Sequence, residues 1–157
     1  MTRLDLVLGI DGGGSRTRAW LATRDRADDS FGCDESEILG RGAAAASNPR
    51  TTPPEIAIHN IRQAVQAAFD DCGVETQPVA TVCLCLAGAD RECERVSIRG
   101  WAEQLKLAQQ IVITNDAMPI LYAASERGVG VALISGTGSV AWGRAATGQT
   151  CRAGGWG

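Results

Sequence analysis

Histidine, aromatic residues, basic excess and long apolar runs are each scarce or missing in this chain of 157 residues, and each scarcity closes a route. The single histidine, His59, falls on the polar side of an expected helix and is assigned no function. Lysine and arginine number 15 against 18 aspartates and glutamates, a net charge of −3 with a pI near 5.1. Without a basic footprint, nucleic acid is not an expected partner. No apolar run approaches a membrane-spanning length, so no membrane partner is expected either. Arg3 and Asp5 precede the first short apolar run, against the pattern of a secretory signal peptide, and the expected location is the cytoplasm. Aromatics are only 4% of residues within an ordinary apolar fraction of 45%, and the length suits a domain with a real core.

Cysteine is present six times, as Cys33, Cys72, Cys83, Cys85, Cys93 and Cys151, but never in CxxC pairs and with no histidine close by to complete a zinc site. Cys83 and Cys85 are two apart in an apolar run, so on a strand they share a face. Two readings stand: reduced thiols packed as small hydrophobes in a cytosolic core, or ligands of an iron–sulfur cluster.

Glycine is abundant, 19 residues, and many of these cluster in turns. Gly9-Ile10-Asp11-Gly12-Gly13-Gly14-Ser15-Arg16-Thr17 ends the first apolar run; Ser135-Gly136-Thr137-Gly138-Ser139 ends another far along the chain. Each reads as strand, tight turn, strand. Glycine admits φ > 0 and leaves no Cβ between backbone amides and a ligand, and successive N–H groups in such a turn form an anion-binding concavity. Two such turns, one with an acidic residue at its mouth, point to a nucleotide phosphate chain gripped from both sides.

Between the turns, Leu4 to Ile10 and Thr17 to Thr23 are expected as an antiparallel pair, Asp25 to Glu37 as a polar surface excursion, and Ile38 to Ala43 as a third strand. Ser47-Asn48-Pro49 is a loop, because a residue before proline avoids the helical region. Thr52 is the expected N-cap of a helix with proline in its first turn, with Ile58, Ile61, Val65, Ala68 and Phe69 inward and Cys72-Gly73 closing it. Val79 to Leu86 is a buried strand; Cys93 to Leu107 is a helix with Val96, Ile98, Trp101 and Leu105 inward; Ile111 to Thr114 is a short strand. Ala117 to Glu126 is a helix, and Val129 to Ile134 with Val140 to Arg144 forms a hairpin repeating the opening pattern. Helices alternating with buried strands give an α/β fold. The expected domains are 1–117 and 118–157, the second only begun.

Several side chains could carry chemistry. Asp11 repels phosphate but can hold Mg²⁺ through waters; the alternative is capping of its own turn. Ser15 and Thr17 bond phosphate oxygens or close the hairpin, while Arg16 and Arg18 point to solvent. Asp116 ends a buried strand, where open α/β sheets place ligands, and can act as a general base; the alternative is an N-cap for the next helix. Asn48 offers donor and acceptor to a sugar, or serves its Asn-Pro turn. Asp90, after Gly88, lines the same cleft or caps a helix, and Trp156 stacks on a sugar or packs in its turn.

Ile10-Asp11-Gly12-Gly13-Gly14-Ser15 resembles the first phosphate motif of the superfamily of sugar kinases, heat-shock chaperones and actin. Within it the chain is similar to the BadF/BadG/BcrA/BcrD ATPase family, which includes N-acetylglucosamine kinases. Ser47-Asn48-Pro49, Ala87 to Asp90, Thr114 to Ala117, Leu133 to Ser139 and Gly154-Gly155-Trp156-Gly157 fall in the family's order. The resemblance implies a ribonuclease-H-like, actin-like ATPase domain, a mixed sheet flanked by helices, followed by the first hairpin of a second similar domain. It implies ATP and Mg²⁺ as cofactors, an amino sugar as substrate, and Asp116 as base on the 6-hydroxyl. Gly12, Gly13, Gly14, Ser15, Gly136, Thr137, Gly138 and Ser139 would hold phosphates and Asp11 would organise Mg²⁺. Asn48, Gly88, Asp90, Asn115 and Trp156 would face the sugar. Ser15 replaces the threonine of many members and keeps its hydroxyl. A homodimer is left open. Members continue past the Gly-Gly-Trp-Gly turn into an acidic substrate loop and an adenosine-binding half, so these 157 residues are expected to form the first domain with a loose hairpin and to bind ATP poorly. The alternatives are an ATPase activator of a 2-hydroxyacyl-CoA dehydratase or benzoyl-CoA reductase system, with an iron–sulfur cluster at a dimer interface, and a non-catalytic sugar or nucleotide sensor.

Overall fold

A computed structural model describes residues 6–23, 38–135 and 139–155. They fall into two compact units, one running through Asp116 and the other beginning at Ala117. Leu4, the 25–37 excursion, Cys33, the turn residues Gly136, Thr137 and Gly138, and Trp156 lie outside the described residues.

In the first unit, β1 (Leu6–Gly12) and β2 (Arg16–Thr23) form the expected antiparallel pair, and β3 (Ile38–Ala45) adds antiparallel to β2. The chain then crosses through α1 (Pro54–Asp71) to β4 (Val79–Leu86), which lies parallel to β1, and through α2 (Glu92–Leu105) to β5 (Ala108–Thr114), parallel to β4. The sheet order is β3-β2-β1-β4-β5, the mixed five-stranded sheet of a ribonuclease-H-like domain.

Alternation along the strands decides what is buried. Leu6, Leu8 and Ile10 of β1 and Val82, Leu84 and Leu86 of β4 join one core with Ile61, Ala64, Val65, Ala68 and Phe69 of α1 and Ile98, Trp101, Ala102 and Leu105 of α2. Positions between them, Gly9 and Asp11 on β1 and Cys83 and Cys85 on β4, face the opposite side of the sheet. Gly42 on β3 lets α1 approach this closely, since an added Cβ there would run into the Ala64 carbonyl oxygen.

Three expectations are corrected. Val96 is 62% exposed and Ala102 is buried in its place, because Ile98, Trp101, Ala102 and Leu105 follow the i, i+3, i+4, i+7 spacing of one stripe and Val96 falls outside it. The N-cap of α1 is Pro53, not Thr52: the Pro53 carbonyl accepts the first helical bonds, from Ile56 and Ala57, at 3.0 and 2.9 Å. Cys93 and Cys151 are exposed and belong to no core, unlike the buried Cys85.

The second unit has its own small core, Ala117, Leu121 and Ala132 with Met118, Ile134 and Trp142 against them. Helix α3 (Met118–Ala124) leads to a three-stranded antiparallel sheet of β6 (Gly130–Ser135), β7 (Ser139–Arg144) and β8 (Thr150–Gly154). The hairpin was expected and β8 was not.

Candidate active site

The parallel strands β1, β4 and β5 end at one edge of the sheet. Their register puts Asp11 beside Cys85 and Cys85 beside Thr114, so these three share a row at the carboxyl ends. Asn115 and Asp116 follow directly, Asn115 buried and Asp116 half-buried. With neighbouring strands about 4.8 Å apart, Asp11 and Thr114 stand roughly 10 Å apart across the row. Cys85 registers both carboxylates. Its thiol is pushed far above the ordinary cysteine value, first by its hydrogen bond with Cys83, then by burial, then by the negative charges of Cys83, Asp11 and Asp116. The same hydrogen bond moves Cys83 the other way, below its ordinary value, against the effect of burial. The structure thus brings Asp11 and Asp116 to one neighbourhood. Mg²⁺ is held by one or two carboxylates together with phosphate oxygens and waters, so two carboxylates at an open edge fit it without a protein cage. Among the described residues no group of three or more His, Cys, Asp or Glu could hold a metal ion by itself.

The first glycine turn is tied down from beneath. Gly13 N–H donates to the Arg16 carbonyl at 2.9 Å, closing the turn, and the Gly13 carbonyl accepts from Ser47 and Asn48 at 3.1 and 3.2 Å. The Gly12 carbonyl accepts from Ala87 at 2.9 Å, which anchors the turn to the end of β4. Gly12 itself is buried, and a Cβ there would overlap Ser47 Oγ and Leu86 Cδ2. Gly14 and Ser15 are exposed at the tip. Thr17 Oγ1 lies 2.7 Å from both the Ala45 carbonyl and Ser47 Oγ in the interior. Its one proton goes to the carbonyl and it accepts from Ser47. The Thr17 hydroxyl thus ties β2 to the end of β3 and to Ser47, while Arg16 and Arg18 are exposed as expected.

The Asn48 loop packs on the turn after β4. Asn48 Oδ1 accepts from Arg50 N–H at 2.9 Å, its carbonyl accepts from Thr51 and Thr52, and a methyl at Gly88 would fall 2.9 Å from Oδ1. Arg50 reaches across to Glu94 at 2.7 Å and to Asp90 at 3.6 Å. Glu94 also accepts from the Arg91 backbone N–H at 2.9 Å. Burial pushes its carboxyl up, but the Arg91 N–H and the bond and charge of Arg50 outweigh this and hold it below its ordinary value. Asn48, Gly88 and Asp90 are therefore assembled in one place. Asp90 is not the N-cap of α2; Arg91 is.

Sequence reasoning missed Ser47 and Arg50. Ser47 supports the phosphate turn as a buried hydroxyl, and Arg50 ties the Asn48 loop to Asp90 and Glu94. In the second unit, Ser139 opens β7 opposite Ser135, and its carbonyl accepts from Gly155 at 2.7 Å.

Residues 8–157 match the model of the BadF/BadG/BcrA/BcrD ATPase family. The chain belongs to that family. Within it, the chain is 30% identical over 151 residues to the N-acetylmuramic acid/N-acetylglucosamine kinase of Clostridium acetobutylicum, covering 96% of the chain and 46% of that protein. It is 30% identical over 164 residues to the N-acetyl-D-glucosamine kinase of Dictyostelium discoideum, covering 98% of the chain and 48% of that protein. It thus spans about half the length of the curated relatives it matches. Among solved structures, a Chromobacterium violaceum protein assigned as an N-acetylglucosamine kinase superposes with a TM-score of 0.70 at 21% identity, over 98% of this chain and 50% of that one. At that identity the likeness establishes the fold alone, and it agrees with the sheet order above.

Cys83 and Cys85 occupy the interior strand β4, between β1 and β5, and Cys85 lies beside Asp11 in the register. No helix among the described residues is long and apolar enough to cross a membrane.

Proposed function

We propose that the whole protein transfers the γ-phosphoryl group of ATP to the 6-hydroxyl of an amino sugar, N-acetylglucosamine, with Mg²⁺, and that residues 1–117 form its first domain and residues 118–157 the beginning of the second. The observation that carries this reading is the common strand edge of Asp11 and Asp116, two carboxylates at the carboxyl ends of β1 and β5 whose charges both reach Cys85 on β4 between them. The names of both curated relatives support it.

In this reading Asp116 takes the proton of the attacking hydroxyl. Phosphoryl transfer asks mainly for alignment and charge stabilisation, with a base to orient and deprotonate the nucleophile. Asp11 holds Mg²⁺, which neutralises charge on the phosphates when bound. The Gly14 amide and the Ser15 hydroxyl at the exposed tip receive phosphate oxygens, Gly12 and Gly13 shape the turn beneath them with the Gly13 amide given to the Arg16 carbonyl, and Gly136, Thr137, Gly138 and Ser139 form a second phosphate turn. Asn48, Gly88, Asp90, Asn115 and Trp156 contact the sugar. Arg50 shares its charge between Asp90 and Glu94, so the Asn48 loop keeps its shape before substrate arrives. The location is the cytoplasm, and a homodimer is compatible with this reading.

The test is coupled ADP release by the protein expressed at its full native length, with N-acetylglucosamine, N-acetylmuramic acid, glucosamine, glucose and no sugar. Mg²⁺-dependent turnover confined to N-acetylated amino sugars supports the proposal. ADP release indifferent to every sugar, with iron in the purified protein, overturns it in favour of an ATPase activator.

A further inference from the structure

We propose that Cys83 and Cys85 are a peroxide-sensitive modification site that closes to an intrastrand disulfide on the sheet face opposite α1 and α2. The two sulfurs lie 3.5 Å apart. A strand rises about 3.3 Å per residue, which puts their Cα atoms about 6.6 Å apart, at the wide end of the 4.4–6.8 Å that a disulfide spans. Leu84, between them in sequence, is buried on the other face with the core and does not obstruct the pair.

Access comes from the neighbours in the Cys83 row. Gly9 on β1 presents no side chain, and an added Cβ there would meet nothing within 4 Å. Val112 on β5 is 39% exposed. Cys83 is half-buried in this shallow lane, while Cys85, 7% exposed, lies one row nearer the carboxyl edge. A small hydroperoxide therefore reaches Cys83 first, with Cys85 already in place to resolve the product.

The chemistry balances with hydrogen peroxide as oxidant. The Cys83 sulfur attacks one peroxide oxygen and the O–O bond breaks. The departing oxygen leaves as water with the thiol proton, and Cys83 becomes a sulfenic acid. The Cys85 sulfur then attacks the Cys83 sulfur, and the S–O bond breaks. The hydroxyl leaves as a second water with the Cys85 proton. Two thiols and one peroxide yield one disulfide and two waters, with two electrons passing from sulfur to oxygen. A dithiol reductant reverses the step by exchange.

Closing the bond draws the sulfurs from 3.5 Å to about 2.05 Å at the carboxyl end of β4. Cys85 sits between Asp11 and Thr114 in the register, so the shortening acts on the row that leads to Asp116. Oxidation thus lowers turnover, a consequence that rests on the kinase reading; formation of the bond does not.

The test oxidises reduced full-length protein with hydrogen peroxide, alkylates it and digests it with a glutamate-specific protease. Cleavage after Glu75 and Glu92 releases residues 76–92, which hold Cys83 and Cys85 and no other cysteine. The expected peptide is unalkylated, lighter by two hydrogens, and restored by dithiothreitol. In Cys83→Ser, and equally in Cys83→Ala, no such loss appears. ADP release should fall several-fold on oxidation of the parent, recover with dithiothreitol, and hold in either variant. Doubly alkylated peptide under conditions that oxidise the exposed Cys151, or irreversible sulfinic acid at Cys83, overturns the site. A linked peptide with unchanged turnover overturns its coupling to catalysis. If no sugar supports turnover at all, the peptide mass still decides the site.

Discussion

Replacing Gly12 by alanine probes the packing beneath the first phosphate turn. The new methyl overlaps Ser47 Oγ and Leu86 Cδ2, and both residues are fully buried. If Ser47 rotates away, its bond to Thr17 is lost and a buried hydroxyl goes short of a partner, which costs about 1–3 kcal/mol. Displacing Leu86 in a filled core costs about 1–3 kcal/mol more. The expected destabilisation is roughly 2–6 kcal/mol, or a drop of about 5–20 °C in Tm for a domain of this size. Thermal unfolding followed by helical circular dichroism reports it, since α1 and α2 are the long helices of that unit. Gly14→Ala is the control: Gly14 is exposed, an added Cβ there meets nothing within 4 Å, and stability should stay within about 0.5 kcal/mol. Equal losses in the two variants, or none in Gly12→Ala, would refute the buried Gly12–Ser47–Leu86 contact.

Other substitutions separate the structural assignments. Ile98→Ala should cost about 2–5 kcal/mol in urea unfolding, while Val96→Ser on the same helix should stay within about 0.5 kcal/mol; the reverse ranking would restore the inward Val96. Phe69→Ala should cost about 3–5 kcal/mol, because Phe69 is the largest fully buried side chain among the described residues. Glu94, held below its ordinary value of 4.5, gives a pH signature. Its unfolded form takes up a proton first as pH falls, so its stabilising contribution is complete above 4.5 and lost as pH drops through the lowered value. Glu94→Gln removes it, and parent and variant should differ at neutral pH and converge in acid. A constant difference from neutral pH into acid would contradict the Arg50–Glu94 pairing.

The fold was most legible where burial and local chemistry agreed. Val79–Leu86 emerged with the expected bounds because a β-branched apolar run lies between Pro78 and a turn. Helix α1 showed through its apolar stripe and its Cys72-Gly73 end. Strand β8, Thr150–Gly154, was invisible because it is five residues long, four of them are exposed, and its apolar side chains, Cys151 and Ala153, are small. β3 runs on to Ala45 through alanines that favour no strand by themselves; pairing with Arg16, Thr17 and Arg18 on β2 extends it. In the candidate site, spacing brought out Asp11, Asn48 and Asp116 because each follows or ends an apolar run beside a turn. Ser47 and Arg50 escaped it: a hydroxyl bonded to Thr17 and a guanidinium bonded to Glu94 are long-range pairings that local pattern does not encode.

The central claim is that Asp116 is the base of a sugar kinase, and Asp116→Asn in the full-length protein tests it most directly. The amide keeps the shape and removes the proton acceptor. With N-acetylglucosamine and Mg-ATP, kcat should fall by about 10²–10⁴-fold, with the KM for sugar and the affinity for nucleotide changed only a few-fold. Turnover within a few-fold of the parent would show that the proton goes elsewhere and would contradict the assignment of Asp116.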